Sequence, residues 1–199
     1  MSGAGKTNGG RSLQELEALL PKAVFIPIPL GEKKPVDNGW QRTTFEQSQS
    51  PQYKARLREG NIGVLLGQPG GNLCAIDIDD DQEIQRFIDL NPQLTCTLCS
   101  AGARGCQIWV VVKGSYPHRI YKLQTTNHKK WGEWRADGGQ SVICGLHPSG
   151  CTYRLLCDQP PITIRFEEIV WPEYLLKPWL AQTPQRRPSP LRQGLACSS

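Results

Sequence analysis

The stretch that most constrains this chain is Leu73-Cys74-Ala75-Ile76-Asp77-Ile78-Asp79, an apolar run that ends in alternating acids. A strand sends alternate side chains to opposite faces. Cys74, Ile76 and Ile78 therefore enter a core, and Asp77 and Asp79 stand side by side on the other face. Two adjacent carboxylates repel each other, and a divalent cation such as Mg²⁺ or Mn²⁺ is the usual compensation, because hard cations take oxygen ligands and bridge to phosphates. Asp80 and Asp81 belong to the next element. Glu83 to Leu90 reads as a short amphipathic helix with Ile84, Phe87 and Ile88 on one face. Asp80 is its N-cap, Glu83 the capping-box partner and Asp81 a first-turn acid without special chemistry.

The chain has 199 residues, enough for one sizeable domain, expected over residues 13–181 between tails 1–11 and 182–199 that read as disordered. The N-terminus lacks the apolar centre of a signal peptide and no long apolar run occurs, so a soluble, intracellular (cytoplasmic) protein with reduced cysteines is expected. The net charge is +5. Lys6, Arg11, Arg186, Arg187 and Arg192 carry all of it from the two tails, so residues 13–181 are neutral. Any basic binding face there must be balanced by an acidic patch, and the Asp77 region is the candidate.

Along the chain, Gly3-Ala4-Gly5-Lys6-Thr7 ends like a phosphate-binding loop but lacks the upstream glycine and preceding strand. Ser12 and Glu15 form a capping box for a helix carrying Leu13, Leu16, Leu19 and Leu20. Residues 23–28 read as a strand, 31–40 as a turn-rich loop whose Trp40 plugs the core edge, and 51–59 as a helix opened by Ser50-Pro51. Strands at 62–66 and 73–79, joined by a glycine-rich turn, read as an antiparallel hairpin. Further strands are expected at 94–99, 106–112, 131–135, 140–145 and 151–156, with 122–130 a polar connection, 157–165 irregular and a last helix near 173–182. Glu133 and Arg135 share a face of their strand.

Cys96 and Cys99 with other cysteines suggest zinc only weakly, since a second paired spacing is missing and residues three apart on a strand point to opposite faces. Histidine-assisted nucleophilic catalysis would have only His118, His128 and His147 to draw on, and none sits in a nucleophile elbow. There remain the carboxylate pair, a third acid at Glu133 and two phosphate-friendly turns at 100–105 and 147–150. Three acids and anion-binding loops without an obvious base suit two-metal phosphoryl or nucleotidyl transfer. Lys129, Lys130 and Trp131 form a basic, aromatic-tipped stretch suited to a nucleic-acid backbone.

The order of these residues resembles the archaeo-eukaryotic primase superfamily, and within it the bifunctional primase-polymerase domains of plasmids, phages and integrated elements. Lys34-Pro35 with Gly39-Trp40-Gln41, and Asn61-Ile62-Gly63-Val64 with Gly67 leading to Asp77 and Asp79, look like its N-terminal signature and first motif. Ser100 to Trp109 is similar to the second motif, with Gln107 where the family has a phosphate-holding histidine. Glu133 to Gly139 looks like the third, and His147-Pro148-Ser149-Gly150 with Tyr153 like a downstream signature. The resemblance implies an α+β fold: an N-terminal α/β module over about 13–80 packed on an RNA-recognition-type antiparallel sheet, with the active cleft between them.

It implies a DNA primase/polymerase, a nucleotidyltransferase using Mg²⁺ or Mn²⁺ held by Asp77, Asp79 and Glu133. Ser100, Arg104, Gln107, Arg135 and His147 would grip the nucleoside triphosphate, and Lys129 to Trp131 would follow a single-stranded or primed DNA template. A neutral amide lacks the charge of an imidazolium, and a charge-assisted bond is roughly twice as strong, so Arg104, Arg135 or His147 is expected to supply the cation. A replicative helicase is the expected partner, on a separate or continuing chain. The alternatives are a catalytically weak nucleic-acid or nucleotide-binding replication module and a metal-dependent nuclease.

Overall fold

The computed structural model describes residues 11–180; the glycine-rich stretch 3–7, the remainder of the N-terminal tail through residue 10 and the whole of the C-terminal one lie outside the described residues. The fold is mixed α+β. Helix α1 (Leu13–Leu19) carries the expected Ser12–Glu15 capping box. β1 (Phe25–Ile28), α2 (Phe45–Ser48), α3 (Pro51–Leu57, N-capped by Ser50) and β2 (Asn61–Leu65) come next. β3 (Leu73–Ile78) leads into α4 (Asp81–Leu90), and β4 (Cys99–Ala101) turns into β5 (Cys106–Lys113). The chain continues through β6 (Tyr121–Gln124), β7 (Lys130–Arg135), β8 (Gln140–Cys144), β9 (Arg154–Cys157) and β10 (Ile162–Arg165).

Two sheets result. The smaller has the order β1-β2-β8, and the larger β6-β7-β3-β5-β4-β9, antiparallel except that β10 runs parallel to β5. β2 and β3 are therefore not the predicted hairpin. Both edges of β3 are taken by β5 and β7, so β2 finds its partners in β1 and β8, and an isolated Gly67–Leu73 bridge in the connecting turn is what remains of a hairpin. The two sheets do not follow chain order: β3 joins the strands that come after it, and β8 joins those at the start.

Other expectations shift too. Leu94 ends a short 3-10 helix (Pro92–Leu94) and 95–98 are irregular, with the strand beginning at Cys99; 121–124 and 162–165 are strands. No helix spans 173–180, because Pro178 interrupts it and Leu175 bridges to Thr125 instead. The strand at 162–165 was obscure in the sequence because its partner β5 lies far back along the chain, with Ile162 opposite Val110.

The core is layered on β3 and β5. Cys74, Ile76 and Ile78 of β3, with Ile108 and Val110 of β5, face α4 through Phe87 and meet Trp134 and Trp171. On the opposite face Leu73, Ala75 and Trp109 pack with Leu16 of α1, Leu57 of α3 and Ile143 of β8. That second face is covered at one end of β3 only. Its next residue is Asp77, half-buried, where the face opens into a cleft. Burying such apolar side chains stabilises the fold by roughly 1.5–3 kcal/mol each.

Candidate active site

The cleft, about 480 Å³, is lined from both sheets: Asp77 and Asp79 at the end of β3, Gln107 on β5, Glu133 and Arg135 on β7, and Gln140 and Val142 on β8. Loops add Lys33, Arg104, His147 and Tyr153. Strand register sets the acids. Asp77 stands opposite Glu133 on one side and opposite Gln107 on the other. Directly opposed side chains have Cβ atoms about 5 Å apart, and like charges placed so destabilise a sheet.

Two cations answer this repulsion. Lys130 Nζ lies 2.9 Å from Asp79 Oδ2, which raises the lysine pKa. Arg135 lies 3.3 Å from Glu133 and 3.9 Å from Asp77, and donates to Ser141 Oγ at 3.1 Å. Asp79 Oδ2, Gln107 Oε1 and Arg135 Nε are buried without a well-formed hydrogen bond, the first and last being held by these ion pairs. Burial pushes the Asp77 carboxyl up to about 6; Arg135 opposes this, Asp79 and Glu133 add to it, and a Gln107 hydrogen bond opposes it.

The donor set fits a hard divalent cation: three carboxylates line one cleft, close enough that cations are needed to offset their repulsion. Their side chains are turned toward Lys130 and Arg135, and among the described residues no three Asp, Glu, His or Cys groups form a ready-made metal cage. That holds for Cys96 and Cys99 as well, which are free thiols.

The predicted phosphate-binding residues gather at the same cleft, with differences. Ser100 lines it but is buried, its hydroxyl accepting from Trp109 Nε1 at 2.9 Å. Arg104 rides on the β4–β5 turn, which is pressed against the end of β3: a Cβ on Gly105, whose φ is +65°, would lie 1.9 Å from Ile78 O. Asp81 Oδ1 accepts from Gly105 N at 2.8 Å, so Asp81 has a task the sequence did not suggest. Asp80 caps α4 by accepting from Gln82 N, whereas the side chain of Glu83, expected in a capping box, accepts from Trp131 Nε1 at 3.1 Å. His147 Nδ1 accepts from Ser149 N at 3.0 Å.

Of the predicted nucleic-acid residues, Lys129 and Lys130 are exposed, paired to Asp80 and Asp79. Trp131 is not available: it is 1% exposed and packs edge-on against Phe87, ring centroids 5.6 Å apart. It is the extra residue of a β-bulge, lying between Gly132 and Lys130 where Leu123 and Gln124 are their partners. A bulge re-aims the side chain it carries. Lys33 and Gln140 line the cleft without having stood out in the sequence, since a loop lysine and a strand glutamine have no distinguishing pattern.

No helix among the described residues is long and apolar enough to cross a membrane. A search of curated proteins returns no significant match. Residues 16–169 match the family described as Prim-Pol, bifunctional DNA primase/polymerase, N-terminal, so the span includes every candidate side chain of the cleft. The chain thus belongs to the Prim-Pol family, whose members are primase/polymerase nucleotidyltransferases, generally dependent on a divalent metal, that act on DNA templates and nucleotides in DNA replication.

Proposed function

We propose that this protein carries out template-directed nucleotidyl transfer in the replication of a plasmid, phage or other mobile element. The observation that carries the reading is the cross-strand set of Asp77, Glu133 and Gln107 in a cleft that also holds Asp79, Arg104 and Arg135. Asp77, Asp79 and Glu133 would hold Mg²⁺ or Mn²⁺, which when bound lowers the pKa of an attacking hydroxyl and neutralises a triphosphate. The cleft would lie between an α/β module and an RNA-recognition-type sheet module.

The protein's own groups account for the rest. Arg135 and Lys130 hold the acids in place by ion pairing, and with the acids neutralised by a bound metal both would be free to meet phosphate oxygens. Arg104 and the Gln107 amide face the same space as donors, Ser100 braces the turn through Trp109, and the His147 ring nitrogen not bonded to Ser149 is available to donate. Lys129 and Lys130, at the acidic end of β3, would follow the template backbone. A helicase on a separate or continuing chain would supply single-stranded template.

The test is primer synthesis and extension with Mg²⁺ and with Mn²⁺, comparing wild type and Asp77→Ala. Loss of extension with template binding and fold retained is expected; equal extension by the variant refutes the assignment. Gln107→His is expected to raise extension. Template binding without any incorporation by wild type would instead favour a non-catalytic replication module, and loss of labelled template a nuclease.

A further inference from the structure

Of the cations at the cleft, Lys130 is committed to Asp79 and Arg135 to Glu133 and Asp77. Gln107 is neutral. His147 accepts the Ser149 amide proton at Nδ1, which leaves its ring uncharged, and burial followed by the Lys33 ammonium holds it below the usual imidazole range. A triphosphate therefore has few uncommitted positive charges to meet. Lys33 is one: it lines the cleft, and among the described residues no carboxylate lies within salt-bridge distance of it.

Lys33 sits in a loop, yet its backbone is clamped. Gln140, buried on β8, donates from Nε2 to Lys33 O at 2.7 Å. Gln140 lies over Gly63, where a Cβ would come within 2.6 Å of its Oε1, an oxygen that is itself buried and unpartnered. Asn61, fully buried on β2, donates to Glu32 O at 2.8 Å and to Leu146 O at 2.7 Å, and accepts from Leu146 N at 2.7 Å. Asn61 thus joins the Lys33 loop to the turn carrying His147, and Gln140 ties the same loop to β8. Buried polar side chains are retained where they fix a geometry, and what they fix here is a lysine at the rim of an acid-lined cleft.

We propose that Lys33 is a phosphate-binding residue, which takes the β- or γ-phosphate of a nucleoside triphosphate on the cleft wall opposite the three acids. The inference rests on the nucleotidyl-transfer reading for its ligand class and on the clamp for its placement.

The experiment measures binding of two probes to the full chain in the presence of Mg²⁺, inorganic tripolyphosphate and a nucleoside triphosphate, alongside the nucleotide dependence of primer extension. Lys33 is exposed, so Lys33→Ala keeps the fold. It should weaken both probes by roughly tenfold or more, as loss of a charge-assisted contact does, and raise KM for nucleotide with little change in kcat. Lys33→Arg should restore both. Lys34→Ala, next along the chain but outside the cleft lining, should change neither. Unchanged affinity in Lys33→Ala, or equal weakening in Lys34→Ala, overturns the proposal whatever extension does. Wild type that binds both probes but extends no primer refutes the polymerase reading alone; wild type that binds neither refutes both.

Discussion

Asp77 shows how a side chain that lines the cleft can cost the fold. Its carboxyl is half-buried, opposed by Glu133 across the strand pair and flanked by Asp79, and titrates near 6 instead of the ordinary 3.8. A carboxyl whose folded pKa is raised keeps its proton in the folded state while the unfolded chain releases it. Its contribution is therefore favourable at low pH and is lost as pH rises through about 4 to about 6, leaving a constant penalty above. The metal-free Asp77→Asn variant should melt a few degrees higher than wild type at pH 7.5, about 1–3 kcal/mol, with the gap closing near pH 4. Thermal unfolding at the two pH values in a chelating buffer measures this, and a variant less stable at pH 7.5 would contradict it. Asp77 was legible in the sequence because strand alternation exposes its face; Lys33 was not, because nothing local distinguishes one of two adjacent loop lysines.

Among the elements, β2 and β8 do more than fill a sheet. Their inward amides, Asn61 and Gln140, bond the backbone of loops that border the cleft, over separations of 85 and 107 residues. Asn61→Ala would leave Leu146 N, Leu146 O and Glu32 O without that partner in a buried place, so a loss of roughly 2–4 kcal/mol in urea unfolding is expected, together with faster proteolysis of the 145–150 turn. A loss below about 0.5 kcal/mol would mean that the loops hold themselves. Helices α1 and α3 and their caps were readable because capping is settled within four residues. The pairing of β2 was misread because a glycine-rich turn between two strands signals a hairpin only when both strands have a free edge to share. β3 has none.

For the molecule as a whole, residues 13–181 carry no net charge, so attraction to a DNA backbone has to come from local clusters such as Lys129 and Lys130 beside the acids. Lys129→Ala should weaken template binding and reduce the slope of log affinity against log salt by about one, as loss of a single phosphate contact does. An unchanged slope would remove Lys129 from the template path. The sequence by itself determined what depends on neighbours along the chain: the alternation that puts Asp77 and Asp79 on one face, the caps of α1, α3 and α4, the order of the acid and glycine motifs, and with them the family. Only the tertiary structure decided which strands share edges, that Trp131 is a bulge residue turned into the core, that Asp81 holds the Arg104 turn, and that Lys33 meets His147 at the cleft. The division has a physical cause. Side-chain direction within an element follows from backbone periodicity, whereas edge pairing, bulges and loop clamps are set by hydrogen-bond partners tens of residues away, which compete for each free donor and acceptor.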